Sequence, residues 1–203
     1  MRLLAIETAT SACSVALIED GRVVASDHVV VGRGHAERLL PMIAALPDGG
    51  RGDAILVDVG PGSFTGIRVG VAAARALGFA WDVPVAGYAS LALLAATDGG
   101  RADTVVAIEG GHGELFVGRY GGDPLREIDP VRSMPFDAAV SGICADRIIG
   151  NAAARLVAAG VRAQCLDIAP DARATILLPP GLAALPPVPL YGRGADAKPM
   201  IAT

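Results

Sequence analysis

The chain is poor in lysine. Lys198 is the single one among 17 basic residues, the arginines stand scattered, and the formal net charge is −4 with a pI near 5.3. A free-standing nucleic-acid binder needs a clustered basic face to meet phosphates, so the composition argues against unaided RNA binding; any work on RNA has to lean on another protein's basic surface. Cysteine is scarce as well. Cys13, Cys144 and Cys165 form no Cys-x-x-Cys pair and leave an odd count, which suits buried thiols in a reducing compartment and supplies no metal or redox motif. His28, His35 and His112 contain no pair at metal-ligand spacing, so no metal is expected. No apolar run approaches the roughly 20 residues needed to cross a bilayer; the richest, over 83–96, is broken by Pro84, Gly87 and Ser90. The run from Met1 to Glu7 meets an acid too early for a secretory signal, and a cytoplasmic location without membrane contact is the expectation.

What is present is apolar content, 52% of 203 residues, enough for one or two compact lobes. Residues 2–7 and 13–19 are predicted strands, and Asp20-Gly21 is a two-residue hairpin signal leading to a third strand over 22–31. After the Gly32-Arg33-Gly34 break, Leu39, Leu40, Ile43 and Leu46 repeat at three and four residues and predict a helix over 35–46. Pro41 inside it removes one backbone donor and predicts a kink or a late start. A buried strand over 54–59, a glycine loop, a long helix, a short strand near 83–86 and a helix near 90–96 complete the order β-β-β-α-β-α-β-α. Asp98-Gly99-Gly100-Arg101 is the candidate hinge between a lobe at 1–98 and a reduced second lobe at 99–203. The second lobe opens on a hairpin, 104–109 and 114–120, around Gly110–Gly113, followed by a strand end at 148–149, a helix over 152–159 and a strand over 164–168. Prolines 179, 180, 186, 187 and 189 make the tail an extended segment that closes on Leu190-Tyr191-Gly192-Arg193.

The loop from Gly60 to Gly70 reads Gly-Pro-Gly-Ser-Phe-Thr-Gly-Ile-Arg-Val-Gly. Its glycines let the backbone take positive φ and let another group come close, and Ser63 and Thr65 are placed to cap the helix that follows. Such a loop receives an anion, receives a partner's backbone, or is a tight turn. It lacks the lysine of a Walker loop and the dinucleotide spacing. The helix then carries Gly66, Gly70, Ala74 and Gly78 in one inclined row. Internal glycine costs about 0.5–1 kcal/mol relative to alanine in a helix, which asks for a close contact in return. That contact is either the protein's own sheet or a helix of another subunit.

Catalytic signals are thin. Gly62-Ser63-Phe64-Thr65-Gly66 misses the nucleophile-elbow form by one position. The turn Glu7-Thr8-Ala9-Thr10-Ser11-Ala12 places an acid and hydroxyls where actin-like ATPases meet a nucleotide, without the glycine that admits phosphate oxygens. Glu7, Thr8, Ser63 and Thr65 are therefore the only cofactor-binding candidates, and a strand-end residue satisfied locally is the competing account of Glu7. Glu109, His112 and Arg193 take no assigned role.

Leu4-Ala5-Ile6-Glu7-Thr8, Ala12-Cys13-Ser14-Val15-Ala16-Leu17, His35-Ala36-Glu37-Arg38-Leu39-Leu40-Pro41-Met42-Ile43 and the Gly60–Gly70 loop together closely resemble the TsaB (YeaZ) family. The similarity is strongest over 2–96 and returns in the tail at 189–193. The resemblance implies an actin/hexokinase/Hsp70-like α/β fold, with two lobes of mixed sheets flanked by helices. It implies a non-catalytic partner in making N6-threonylcarbamoyladenosine on tRNA, paired with the catalytic subunit TsaD and joined by the ATPase TsaE, or with a second copy of itself when alone. TsaD carries a His-x-x-x-His metal pair; aligned on this chain, those positions hold Ser90 and Leu94, which implies that the chemistry is lost. No cofactor is expected on this chain alone, with a nucleotide possible only at the partner junction, and tRNA is reached through the complex. The implied interface is the helix pair at 35–46 and 66–80, which gives Leu39, Leu40, Ile43, Gly66, Gly70, Ala74 and Gly78 a partner. Glu7 stands where the family commonly has Asp, the link 47–53 is short, and 170–189 is broken by prolines. The rival readings are an independent actin-like ATPase or phosphotransferase using Glu7, Thr8 and the glycine loop, a metallopeptidase, and a homodimeric binding module of unknown ligand.

Overall fold

Why the first sheet forms is visible at its first turn. Asp20 and Gly21 both take positive φ, 47° and 77°, the geometry that lets a two-residue turn match the twist of its flanking strands. The computed structural model, which describes residues 1–99 and 103–192, therefore opens on a meander of β1 (Arg2–Glu7), β2 (Ala12–Glu19) and β3 (Arg22–Val30). Next come α1 (His35–Ala45), β4 (Ala54–Asp58), α2 (Phe64–Trp81), β5 (Val85–Tyr88) and α3 (Ser90–Thr97). β4 pairs parallel to β1 and β5 parallel to β4, giving the sheet order β3-β2-β1-β4-β5. α1 lies over β2 and α2 over β4, side by side on one face. α1 begins at His35 and runs through Pro41, which sits on its exposed side.

The second sheet repeats this plan. β6 (Thr104–Glu109), β7 (Glu114–Gly121) and β8 (Arg126–Pro135) form a meander, followed by α4 (Phe136–Gly142), β9 (Arg147–Ile149), α5 (Ala153–Ala158) and β10 (Gln164–Leu166). Its order is β10-β9-β6-β7-β8, so β6 takes the place of β1, flanked on one side by its hairpin and on the other by parallel strands. Ala5-Ile6-Glu7 at the end of β1 has its counterpart in Ala107-Ile108-Glu109 at the end of β6. This is the actin/hexokinase-like architecture. β8 and α4 are absent from the sequence-based expectation: β8 carries Pro130 and is mostly exposed, which an edge strand tolerates because one of its sides needs no donors.

α3 joins the two sheets. Its residues 90–96 are all buried, since one side meets Leu56 and Tyr88 of the first lobe and the other meets Val106, Ile108, Phe116, Tyr120 and Ile149 of the second. A helix apolar all round is what a shared core requires. After β10 the chain makes short 3-10 turns and returns to the first lobe. Leu185 exchanges backbone hydrogen bonds with Gly87, at 2.6 and 2.9 Å, and Leu190 N–H donates to Val59 O at 2.7 Å. The proline-rich tail is thus an extended strap across the ends of β4 and β5. Among the described residues no helix is long and apolar enough to cross a membrane. Gly100, Arg101 and Arg193 lie outside the described residues.

Candidate functional site: the glycine loop and the outer face of its helix

The glycine loop links the end of β4 to α2, and its close-approach capacity is used by the chain itself. Ser63 is the N-cap of α2, its Oγ accepting from Gly66 N–H at 3.3 Å. Thr65 makes no cap and stays exposed in the first turn. Ser63 N–H donates to Ala9 O at 2.6 Å, and Thr8 Oγ1 donates to Gly66 O at 2.8 Å. A Cβ on Gly66 would run into the carbonyl oxygen of Thr8. Of the nucleotide candidates, Thr8 and Glu7 are fully buried and engaged by their own chain, and Ser63 is occupied as a cap.

Beneath the loop lies a carboxyl pair. β1 and β4 run parallel in register, Ile6 beside Val57, so the next residues, Glu7 and Asp58, meet at the strand ends. Both are fully buried. Glu7 Oε1 accepts from Ala9 N–H at 2.8 Å, and Oε2 accepts from the Tyr88 hydroxyl, which also reaches Ile6 O at 3.0 Å. Asp58 Oδ1 accepts from Gly60 N–H at 2.6 Å and from Ser90 Oγ at 2.8 Å. Asp58 Oδ2 has no N–H or hydroxyl donor among the described residues, while the Glu7 carboxyl stands next to it. Burial, reinforced by the neighbouring Asp58 charge, pushes Glu7 well above the usual carboxylate range; burial raises Asp58 too, against the hydrogen bonds that favour its charge. Both shifts favour retention of a proton by the pair, more strongly at Glu7. Burial likewise pushes the Tyr88 hydroxyl well up.

The small-residue row is covered by the chain's own first lobe. Gly66 and Gly70 lie against Thr8, Gly78 against Val85, and Ala74 is fully buried in the first lobe's own core. Leu39 and Ile43 join that core as well, because α1 turns its apolar stripe onto β2. Among the expected interface residues only Leu40 is open, at 52% exposure. The physical reason is simple: a helix crossing a parallel sheet at short distance needs small residues on its inner face, and the same spacing that permits close helix pairing permits close sheet packing. The outer face of α2 is a different set, Phe64, Arg68, Ala72, Arg75, Ala76 and Phe79, all exposed, with Phe79 at 91%.

Other singled-out residues have local occupations. Ser90 donates to Asp58 and Pro61 O, and Leu94 is fully buried in the shared core. Glu109 pairs with Arg155 at 3.0 Å. His28 Nδ1 stands 3.3 Å from Asp171. Sequence reasoning missed Asp58, although an acid inside an otherwise apolar strand is a signal. It also missed buried His35, whose Nε2 lies 2.9 Å from Thr10 O and ties the start of α1 to the β1–β2 turn.

Comparison with known proteins places this geometry. The family model described as "TsaD: tRNA N6-adenosine threonylcarbamoyltransferase" matches residues 27–129. An uncharacterized protein of Mycobacterium tuberculosis is 34% identical across 98% of this chain and 94% of its own length. The Escherichia coli tRNA threonylcarbamoyladenosine biosynthesis protein TsaB is 38% identical across 59% of this chain and 55% of its own. The solved structure of YeaZ from Pseudomonas aeruginosa shares the fold with a TM-score of 0.77 at 32% identity, covering 94% of this chain and 99% of that one. With the two-sheet plan matched nearly end to end, the chain belongs to the TsaB (YeaZ) family.

Proposed function

We propose that this chain is a non-catalytic subunit in the synthesis of tRNA N6-threonylcarbamoyladenosine, binding and supporting the transferase TsaD through the outer faces of α1 and α2, with TsaE as the third member. The observation that carries it is the contrast between the two sides of α2. The side that an actin-like enzyme would keep open for phosphate is closed by Thr8 and Ala9, whereas the other presents Phe79 and Arg75 to solvent. Relatives named for threonylcarbamoyladenosine synthesis support the pathway. No cofactor is assigned to the chain alone; a nucleotide belongs at the junction with the partner, and tRNA is met through the complex. Depleting the protein and measuring tRNA nucleosides by mass spectrometry tests the role, with loss of the modified adenosine expected. Calorimetry with magnesium ATP on the isolated chain tests the rival ATPase, which requires binding and turnover.

A further inference from the structure

Residues 184–192, the strap, contribute no buried side chain. Leu185, Pro187 and Pro189 are half-buried on its inner side, while Pro186, Val188, Leu190 and Tyr191 are exposed. Pro186, Pro187 and Pro189 bring no N–H to hold it down. Its attachments are mostly main-chain. Leu185 exchanges its two bonds with Gly87, Leu190 N–H reaches Val59 O, and Val188 N–H turns back on Pro186 O. Arg68 Nε donates to the Tyr191 hydroxyl at 2.8 Å, where that ring stands 5.2 Å from the ring of Phe64. Two glycines let the strap come close. A Cβ on Gly60 would stand 2.7 Å from Leu190 O, and one on Gly192 would run into the Phe116 ring of β7 and lie 3.0 Å from Pro61 Cβ. The end of the strap is thus wedged between the glycine loop of the first lobe and a strand of the second.

We propose that this strap is a lid: it leaves and reseats as one unit while both lobes stay folded, and when seated it holds the glycine loop against β7. Unfolding the molecule loses the buried cores of both sheets and α3. Lifting the strap loses its bonds to Gly87 and Val59, the Tyr191–Arg68 contact and some half-buried apolar area. A segment with few buried contacts opens at lower cost than the core beneath it. The prolines keep the lifted segment extended, so little chain entropy is lost when it reseats. Opening uncovers the Gly87 N–H and C=O and the Val59 carbonyl at the ends of β5 and β4. It also takes Leu190, Gly192 and Tyr191 away from Gly60, Pro61 and Phe64, where the loop enters α2. Ser63 N–H to Ala9 O and Ser90 Oγ to Pro61 O hold that loop to its own lobe, and Gly192, between Pro61 and Phe116, ties it to the other.

Hydrogen exchange of the full chain, resolved to single amides, tests the lid. In the wild type the Gly87 and Leu185 amides should exchange at one common rate, at least ~100-fold faster than the amides paired at the centres of β1 and β6. Leu190→Pro deletes the N–H given to Val59, and Tyr191→Ala deletes the hydroxyl met by Arg68. Each should speed Gly87 and Leu185 about 3–10-fold, and the Gly60 and Ser63 amides of the loop with them, leaving β1 and β6 unchanged. Val188→Ser, on the exposed side of the strap, should change none of these rates. Gly87 and Leu185 exchanging no faster than β1 and β6 in the wild type would mean that the strap opens only with the whole fold, and overturns the proposal. Variants that leave Gly87 and Leu185, or Gly60 and Ser63, at wild-type rates overturn it too, because the seat then does not hold the loop. Acceleration of β1 and β6 in step with Gly87 also overturns it, since the strap is then part of the common fold.

Discussion

Glu7 and Asp58, neighbours at the ends of parallel strands, are wholly buried side by side, and burial raises both carboxyls. Around that carboxyl pair gather the β1–β2 turn through Ala9, the glycine loop through Gly60, β5 through Tyr88 and α3 through Ser90. The pair is thus the knot that sets where α2 starts.

Its pH dependence has a definite sign. Glu7 is raised in the folded state, so the folded protein binds a proton that the unfolded chain gives up at ordinary carboxylate pH. The stabilisation is full below the unfolded value and falls as pH rises toward the folded one, by up to ~1.4 kcal/mol per pH unit. Urea melts from mildly acidic to mildly alkaline pH should show this decline for the wild type. Glu7→Gln, which keeps a donor for Asp58 Oδ2 but cannot titrate, should flatten it; an unchanged slope in that variant would remove Glu7 as its source.

Ser90→Ala should be destabilising despite its small size. It strips one donor from the buried Asp58 charge and leaves Pro61 O without that hydroxyl. A loss of about 1–3 kcal/mol in chemical denaturation is expected.

Gly70→Leu acts on folding before it acts on any partner. Even a Cβ there meets the Thr8 hydroxyl, and a leucine side chain would drive α2 off the sheet. The expected cost is about 1–3 kcal/mol or more, read as a lowered melting temperature of the isolated chain. Leu40→Ser, on the exposed side of α1, should stay within about 0.5 kcal/mol of wild type.

Leu94→Ala opens a hole in the core that both lobes share, where the side chain is fully buried. A cost of about 2–5 kcal/mol is expected. Because α3 touches both sheets, probes in either lobe should report one common transition; separate transitions would contradict a shared core.

The strands of the first lobe and the placement of the glycine loop were legible because alternation, an Asp-Gly turn and glycine spacing are local signals. β8 was not, since an edge strand with Pro130 lacks the pattern that marks a buried one. The seven residues of α4 are too few to show a helical period. The small-residue row was seen, but spacing alone does not say whether strand or helix occupies the close approach. The packing of α2 on Thr8, Val57 and Val85 answers that, and shifts attention to the opposite ridge. Tyr191 beside Phe64 and Arg68 was out of reach of sequence, because the contact spans 123 residues.

The most direct test of the account is the amount of N6-threonylcarbamoyladenosine in tRNA after depletion of this protein, with wild-type and Arg75→Glu chains added back. The account predicts that the modified nucleoside falls as unmodified adenosine rises, that the wild-type chain restores it and that the charge-reversed chain restores it poorly. An undiminished level of the nucleoside in depleted cells would contradict it.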